Sequence, residues 1–203
     1  MKKGFTLAET LIVFSIIGVL ATIMLTSFSK INPDKEKTMF KKGYSVAERM
    51  IGELVNDETL YPYNEDKIGF LNTIAVTIPG TASTVSGKKK FCTLFSTKVN
   101  VIGEPDIRDN YCKFTTSDGI DWTIRTSTKL EDYPKAIVID TNGDKEPNCA
   151  VLDVEDTNLN SIKCSSADAS RQDRFVAYYY ADGRMTVKSN KEIEYLKSQN
   201  LKK

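Results

Sequence analysis

The oxygen-rich stretch at residues 140–144 has the residue types that best fit metal chemistry in this sequence. Asp140, Asn142 and Asp144 place side-chain oxygens at alternate positions, and Ca²⁺ binds about six to eight hard oxygens, backbone carbonyls included. The match to an EF-hand loop is incomplete, because glycine stands at the fourth position and Val151 at the twelfth, where glutamate is expected. The alternative is an Asn-Gly turn held by Asx-type hydrogen bonds, without metal. Further acidic residues that could complete a calcium site are Asp153, Asp156 and Asp173.

The four cysteines all lie beyond residue 90. They are Cys92, Cys112, Cys149 and Cys164. None of their spacings is Cys-x-x-Cys, which disfavours zinc and redox sites. In an oxidising compartment they would form two disulfides, for which three connectivities are possible. We predict nearest-neighbour pairing, Cys92–Cys112 and Cys149–Cys164, and the alternative is free buried thiols.

Composition argues against catalysis and against strong nucleic-acid binding. The 203 residues include no histidine, and the net charge is +1. Histidine is the commonest general base and zinc ligand, so its absence removes most familiar catalytic arrangements. The weak net charge provides no basic field for nucleic acid. The three-lysine run at 88–90 is expected to be a solvated charge run, with DNA contact as the minor alternative. We therefore predict that the protein is not an enzyme and that nucleic acid is an unlikely partner.

The N-terminal segment starts with Lys2-Lys3-Gly4 and continues into an apolar run that has one charge, Glu9. The 18 residues from Leu11 to Phe28 carry no charge. A bilayer core about 30 Å thick needs about 20 such residues, so the sequence predicts a membrane-spanning helix over residues 5–29 with the lysines on the cytoplasmic side. An ordinary secretory signal is disfavoured because no small-residue cleavage site follows the run. A carboxylate within an apolar helix needs a partner.

The residues Lys2-Lys3-Gly4-Phe5-Thr6-Leu7-Ala8-Glu9-Thr10-Leu11 resemble the class III signal of type IV pilins and of the pseudopilins of type II secretion. The resemblance implies that prepilin peptidase cleaves after Gly4 and that the new amino group of Phe5 is methylated. It also implies that Glu9 is the residue used in assembly. It covers only the N-terminal helix. The apolar run departs from that of several pilins in having no proline, since the first proline of the chain is Pro33.

The rest of the chain has the pattern of an α+β protein. Apolar pairs recur every three to four residues from Lys35 to Val55, which predicts an amphipathic helix that stops near Asn56-Asp57. Asn32-Pro33-Asp34 is expected to bend or interrupt the helix. Leu71–Ile78 fits either a strand or a short helix, and strands are expected from Phe91 onward. The predicted strands are Tyr111–Thr116, Ile120–Thr126, Ala136–Asp140, Arg174–Tyr180 and Arg184–Lys188, with hairpin turns at Asp118-Gly119 and Asp182-Gly183 and a closing helix at Asn190–Leu196.

Together, pattern and resemblance imply a pilin-like α+β fold in which a long N-terminal helix, half membrane-spanning and half amphipathic, packs on an antiparallel sheet. The predicted segments are a leader at 1–4, a transmembrane and assembly helix at 5–29, its amphipathic continuation at 30–60 and a β-rich head at 61–203.

The predicted function is that of a structural subunit of a type IV pilus or a type II secretion pseudopilus. Its partners would be copies of itself in a filament, prepilin peptidase, the inner-membrane assembly machinery and, before assembly, the membrane. The subunit would sit in the inner membrane with its head outside, and later in a periplasmic or extracellular filament. The alternative is a minor pilin that acts in adhesion or DNA capture at a filament tip. No cofactor is predicted with the exception of the hypothetical Ca²⁺.

Overall fold

The computed structural model describes residues 7–30, 35–152 and 159–198. It divides into two compact units, Met1–Lys35 and Glu36–Lys203. The first unit holds helix α1, Leu7–Lys30. Among the residues described, no helix has both the length and the apolar character needed to cross a membrane. The prediction of one long helix with a membrane-spanning half is therefore not confirmed.

The second unit contains three helices and two sheets. The helices are α2 (Lys35–Val55), α3 (Lys90–Lys98) and α4 (Asn190–Lys197). The small sheet pairs β1 (Val76–Thr77) with β2 (Thr84–Val85). The large sheet comprises β3 (Val101–Ile107), β4 (Tyr111–Thr116), β5 (Asp121–Arg125), β6 (Lys135–Asp140), β7 (Arg174–Tyr179) and β8 (Met185–Val187). Its strands are antiparallel and adjacent in chain order, which confirms the predicted α+β class.

The apolar stripe of α2 packs on the inner face of the large sheet. One row of directly opposed residues crosses that face, namely Phe114, Trp122, Ile139 and Phe175. Phe40 of α2 stacks on Phe175 with ring centroids 4.7 Å apart. Gly43 lets the helix approach closely, since a Cβ there would lie 2.8 Å from Ile139 Cγ2. The helix ends at Val55, where the Asn56 backbone and side-chain amides both donate to the Gly52 carbonyl.

The outer face of the sheet carries a second, smaller core under the chain that follows β6. Its buried members are Ala136, Val138, Ala150, Leu159, Val176 and Tyr178. Ala150 donates to the Ile162 carbonyl and accepts from Cys164, so the described parts of the segment close on themselves above the sheet. The sheet is thus covered by a helix on one face and by this segment on part of the other.

The predicted hairpins and most strand bounds agree with the structure to within a residue. Gly119 and Gly183 adopt φ values of 82° and 88°, the left-handed conformation that glycine tolerates in tight turns. Two elements were predicted wrongly. Residues 90–98 form α3 in place of a strand, because their apolar residues lie three and four apart and face the core. The edge strand β3 was missed because Gly103 and Pro105 interrupt it, and its register shifts between Ile102 and Asp106.

Candidate functional sites

Helix α1 has large apolar side chains that are exposed in the structure. Nine large apolar side chains between Leu7 and Leu20 are each at least 49% exposed. They project all around the helix, in contrast with the one-sided stripe of α2. Two polar side chains on α1 bond to its own backbone, since Thr10 Oγ1 donates to the Leu7 carbonyl and Ser15 Oγ to that of Leu11. An exposed apolar surface of this extent indicates contact with a lipid or protein partner.

Of the three residues predicted for processing and assembly, only Glu9 falls within the described residues. Gly4 and Phe5 fall outside the described residues, so their predicted roles stay predictions. Glu9 lies in the first turn of α1. The contacts of its side chain lie outside what the structure describes, and its predicted role in assembly stays a prediction.

The loop at residues 140–149 is held by two side chains from β7 and the residue before it. Arg174 donates from Nε to Asp140 Oδ2 at 2.7 Å and from Nη2 to Asn148 Oδ1 at 3.0 Å. Asp173 accepts backbone hydrogen bonds from Asn148 at 2.9 Å and Cys149 at 2.8 Å. The positive charge that contacts Asp140 is therefore that of the Arg174 guanidinium.

The predicted calcium ligands are arranged as a turn. The Asn142 amide donates to Asp140 Oδ1 at 3.3 Å, which is the Asx-type bond of the alternative hypothesis. Burial raises the pKa of Asp140, and the hydrogen bond from Arg174 opposes that rise. Asn142 Oδ1 is buried and has no hydrogen-bond partner within the described chain, whereas Asp144 is exposed. No group of three or more His, Cys, Asp or Glu suited to a metal occurs among the described residues. Asp153 and Asp156, which were candidates to complete a calcium site, lie outside the described residues. Within those residues the geometry favours the turn.

Both disulfides join the predicted nearest neighbours. Cys92–Cys112 ties α3 to β4 with a Cα–Cα distance of 5.9 Å, and both cysteines are buried in the main core. Cys149–Cys164 closes the segment over the outer face with a Cα–Cα distance of 4.8 Å. Loops of 20 and 15 residues are closed in this way. Each would stabilise the fold by about 3 kcal/mol through the unfolded state.

The three-lysine run is split by the fold. Lys88 and Lys89 are exposed, but Lys90 is only 1% exposed at the start of α3. Its ammonium donates to the Asn72 carbonyl at 3.1 Å and lies 4.2 Å from the centre of the Tyr61 ring. The prediction of a solvated run was therefore wrong for Lys90. Only Lys88 and Lys89 of the run are therefore exposed for a contact with DNA.

Trp122 of β5 is a core residue. It is 1% exposed, and its Nε1 donates to Thr116 Oγ1 at 3.0 Å. The same hydroxyl donates to Asp118 of the hairpin turn, whose carboxylate also lies 2.9 Å from Lys42 Nζ on α2. This network joins the sheet, the turn and the helix.

Comparison with known proteins identifies the N-terminal segment. Residues 1–25 match the family model described as the prokaryotic N-terminal methylation motif. Neither the curated proteins nor the solved structures gave a match to the chain. The N-terminus is thus a class III prepilin signal, of the kind found on type IV pilin-like proteins and pseudopilins. The processing residues Gly4 and Phe5 and the acidic residue Glu9 all fall inside the matched segment.

Proposed function

We propose that this protein is a structural, non-enzymatic subunit of a helical filament, either a type IV pilus or a type II secretion pseudopilus. The match of residues 1–25 to the methylation motif is the observation that carries the proposal. Prepilin peptidase cleaves after Gly4, and the new amino group of Phe5 is then methylated. Residues 5–29 anchor the precursor in the inner membrane, with the head on the outer side.

The exposed surface of α1 supports this assignment on physical grounds. Burying a Leu, Ile, Val or Phe side chain is worth about 1.5–3 kcal/mol. Nine such side chains, each roughly half exposed, would therefore cost on the order of 10 kcal/mol if they stayed in water. The helix needs an apolar cover both before and after assembly. Lipid supplies that cover to the precursor, and neighbouring copies of α1 supply it in the filament.

Glu9 needs a partner once the helix leaves the membrane, because an unpaired carboxylate among apolar helices is strongly disfavoured. Cleavage after Gly4 creates a positively charged amine on Phe5, which provides such a partner on a neighbouring subunit. In this proposal the pair sets the axial position of one helix against the next. The apolar side chains supply contact area, and the pair supplies register.

The two disulfides support a location outside the cytoplasm. Disulfides persist in the periplasm and at the cell surface, and thiols are kept reduced in the cytosol. The bonds Cys92–Cys112 and Cys149–Cys164 both belong to the second unit. This fits a head that is translocated and then displayed in a periplasmic or extracellular filament.

Intact-mass analysis of native cells tests the proposal. Material sheared from the cell surface is compared with the membrane fraction. We expect a chain that starts at methylated Phe5 in the sheared fraction for a pilus subunit, and in the membrane fraction alone for a pseudopilus or minor subunit. A chain that retains residues 1–4 in both fractions would overturn the proposal.

A further inference from the structure

The segment that follows β6 covers only part of the outer face of the large sheet. The segment after β6 lies over β6 and β7, where Leu159 is buried against Ala136 and Val138. The polar side chains of β4 and β5 remain beside it, and two clefts of about 200 and 120 Å³ open there. Arg125 and Leu159 line both clefts. The side chain of Arg125 therefore sits at the centre of this surface.

Arg125 differs from every other arginine of the chain. The other five each lie within 4.0 Å of a carboxylate, in the pairs Arg49–Glu53, Arg108–Asp106, Arg171–Asp168, Arg174–Asp140 and Arg184–Asp182. Arg125 has no such partner among the described residues. Its Nε is buried and donates to no acceptor in the described chain. The guanidinium lies 5.7 Å from the centre of the Tyr111 ring, directly across the β4–β5 pair.

The described lining of the two clefts has four cations, Arg125, Lys135, Lys113 and Arg174, against three carboxylates, Asp132, Asp121 and Asp140, an excess of one positive charge. Lys135 and the Asn110 side chain line the larger cleft, and Lys113 lines the smaller one. Lys113 pairs with Thr123, so it is a diagonal neighbour of Arg125 on the same face, about 7 Å away.

Each acidic residue of the two clefts has another hydrogen-bond partner, although for Asp132 and Asp121 that partner is a neutral hydroxyl that leaves the carboxylate charged. Asp140 is paired with Arg174, Asp132 accepts from the Ser127 hydroxyl and Asp121 accepts from that of Thr115. Arg125, Lys113, Lys135 and Asn110 thus line the two clefts, and no carboxylate of the described residues lies within 4.0 Å of the Arg125 guanidinium.

We propose that Arg125 is the centre of a binding site for an oxyanionic group, meaning a carboxylate, sulfate or phosphate carried by a small ligand. The guanidinium presents donors in a planar fork that matches such groups, and its buried Nε–H lacks an acceptor. Asn110 and Lys135 supply further donors from the rim of the larger cleft. A cleft of about 200 Å³ admits one such group with its neighbouring atoms and is too small for a folded partner. This site goes beyond filament assembly and does not depend on it.

The test follows the Nε–H signals of the six arginines by nitrogen-15 NMR on the full chain in detergent micelles, with arginine labelled. Sodium sulfate, sodium phosphate and sodium acetate are titrated separately, with sodium chloride used to hold the ionic strength constant. We expect a saturable shift of the Arg125 signal, which Arg125→Lys identifies by its loss. Saturation at lower sulfate or phosphate concentration indicates a sulfated or phosphorylated ligand, and saturation at lower acetate concentration indicates a carboxylate.

Two variants distinguish anion binding at Arg125 from a general effect of ions on the protein. Arg125→Gln is expected to weaken anion binding at least tenfold, measured as the anion concentration that half-saturates the rise in melting temperature. Arg108→Gln removes an exposed arginine that is already paired with Asp106, and is expected to bind as the parent does. Equal shifts of all arginine signals, or no saturable shift with any of the three anions, would overturn the proposal. The titration of the unmodified chain decides this even if Arg125→Gln fails to fold.

Discussion

Lys90 is the residue whose environment departs furthest from its sequence context. It follows two exposed lysines, yet it lies four residues before Leu94 and so shares the buried face of α3. A carbonyl and the face of a tyrosine ring surround its ammonium. Burial lowers the pKa of Lys90 from 10.5 to about 8. The folded protein therefore releases this proton more readily than the unfolded chain does.

The linked stability change has a definite sign. Between pH 8 and about 10 the unfolded chain keeps the Lys90 proton and the folded one loses it, so the free energy of unfolding rises with pH. Burial raises the pKa values of Tyr61, Tyr133 and Tyr179, so ionisation of these phenols in the unfolded chain lowers stability above pH 10. We expect a maximum of stability near pH 10.

We predict that Lys90→Met raises stability at pH 7 and flattens the rise between pH 8 and 10. A pKa shift of one unit corresponds to about 1.4 kcal/mol, so the free energy of unfolding at pH 7 should rise by an amount on the order of 2–3 kcal/mol. Urea unfolding at pH 7, 8, 9 and 10 measures both effects. The neighbouring exposed Lys89→Met serves as the matched control and should follow the parent curve. A parent whose stability is flat or falls from pH 8 to 10 would contradict the assignment.

The helices and strands that could be predicted are those whose residue pattern and turn residues match the packing found in the fold. The strands β4 and β5 alternate cleanly, and Asp118-Gly119 between them supplies the left-handed glycine that the turn needs. Residues 90–98 mix β-branched and aromatic residues, which favoured a strand, but the spacing of Phe91, Cys92, Leu94 and Phe95 was the better guide. The partners of the 140–149 loop could not be predicted, because Arg174 of β7 and Asp173 before it lie 24 or more residues away in sequence from the groups they bond.

The 140–149 loop illustrates how such a distant contact decides between two hypotheses. Asp140 is the last residue of β6 and directly opposes Arg174 across the sheet. The register of β6 and β7 thus places the Arg174 guanidinium beside Asp140, the carboxylate that the sequence analysis considered as a calcium ligand. Arg174 is itself largely shielded, with 24% of its side chain exposed, and Asp140 has 4%. Removing one partner from such a pair is expected to destabilise strongly, because the other charge stays buried.

We predict that neither 5 mM Ca²⁺ nor a chelator changes the melting temperature of the protein, to within about 1 °C, since the sheet already supplies the compensating charge. Arg174→Gln should lower the free energy of unfolding by about 3 kcal/mol because it leaves Asp140 unpaired. Asp144→Asn changes an exposed side chain and should stay within about 0.5 kcal/mol of the parent. Calorimetry on the three proteins provides the measurement. A calcium-dependent rise in melting temperature that Asp144→Asn abolishes would restore the calcium hypothesis.

The described parts of the two units differ in how much large apolar surface they expose. The second unit, Glu36–Lys203, has its own core and two disulfides, and five of its large apolar side chains are exposed, namely Tyr63, Ile68, Ile74, Ile102 and Leu130. The first, Met1–Lys35, consists in its described part of a helix whose large apolar side chains are exposed. A globular protein that folds to bury its own apolar surface would not leave this helix bare. An exposed apolar surface of this extent indicates that a lipid or protein partner covers it.

Glu9 tests whether that cover is supplied by other copies of the chain. We predict that Glu9→Ala leaves cleavage after Gly4 intact, since the cleavage site itself is unchanged, but reduces incorporation into filaments at least tenfold. The physical reason is that the methylated amine of Phe5 on a neighbouring subunit then lacks its counter-charge in an apolar setting. Filament yield is measured by quantifying the sheared fraction, and intact mass reports the cleavage. Thr10→Ser, one residue away on α1, keeps the hydroxyl that bonds to Leu7 and should assemble normally. Normal filament levels of Glu9→Ala would remove the charge pair from the assembly mechanism, whereas loss of cleavage would place Glu9 in peptidase recognition instead.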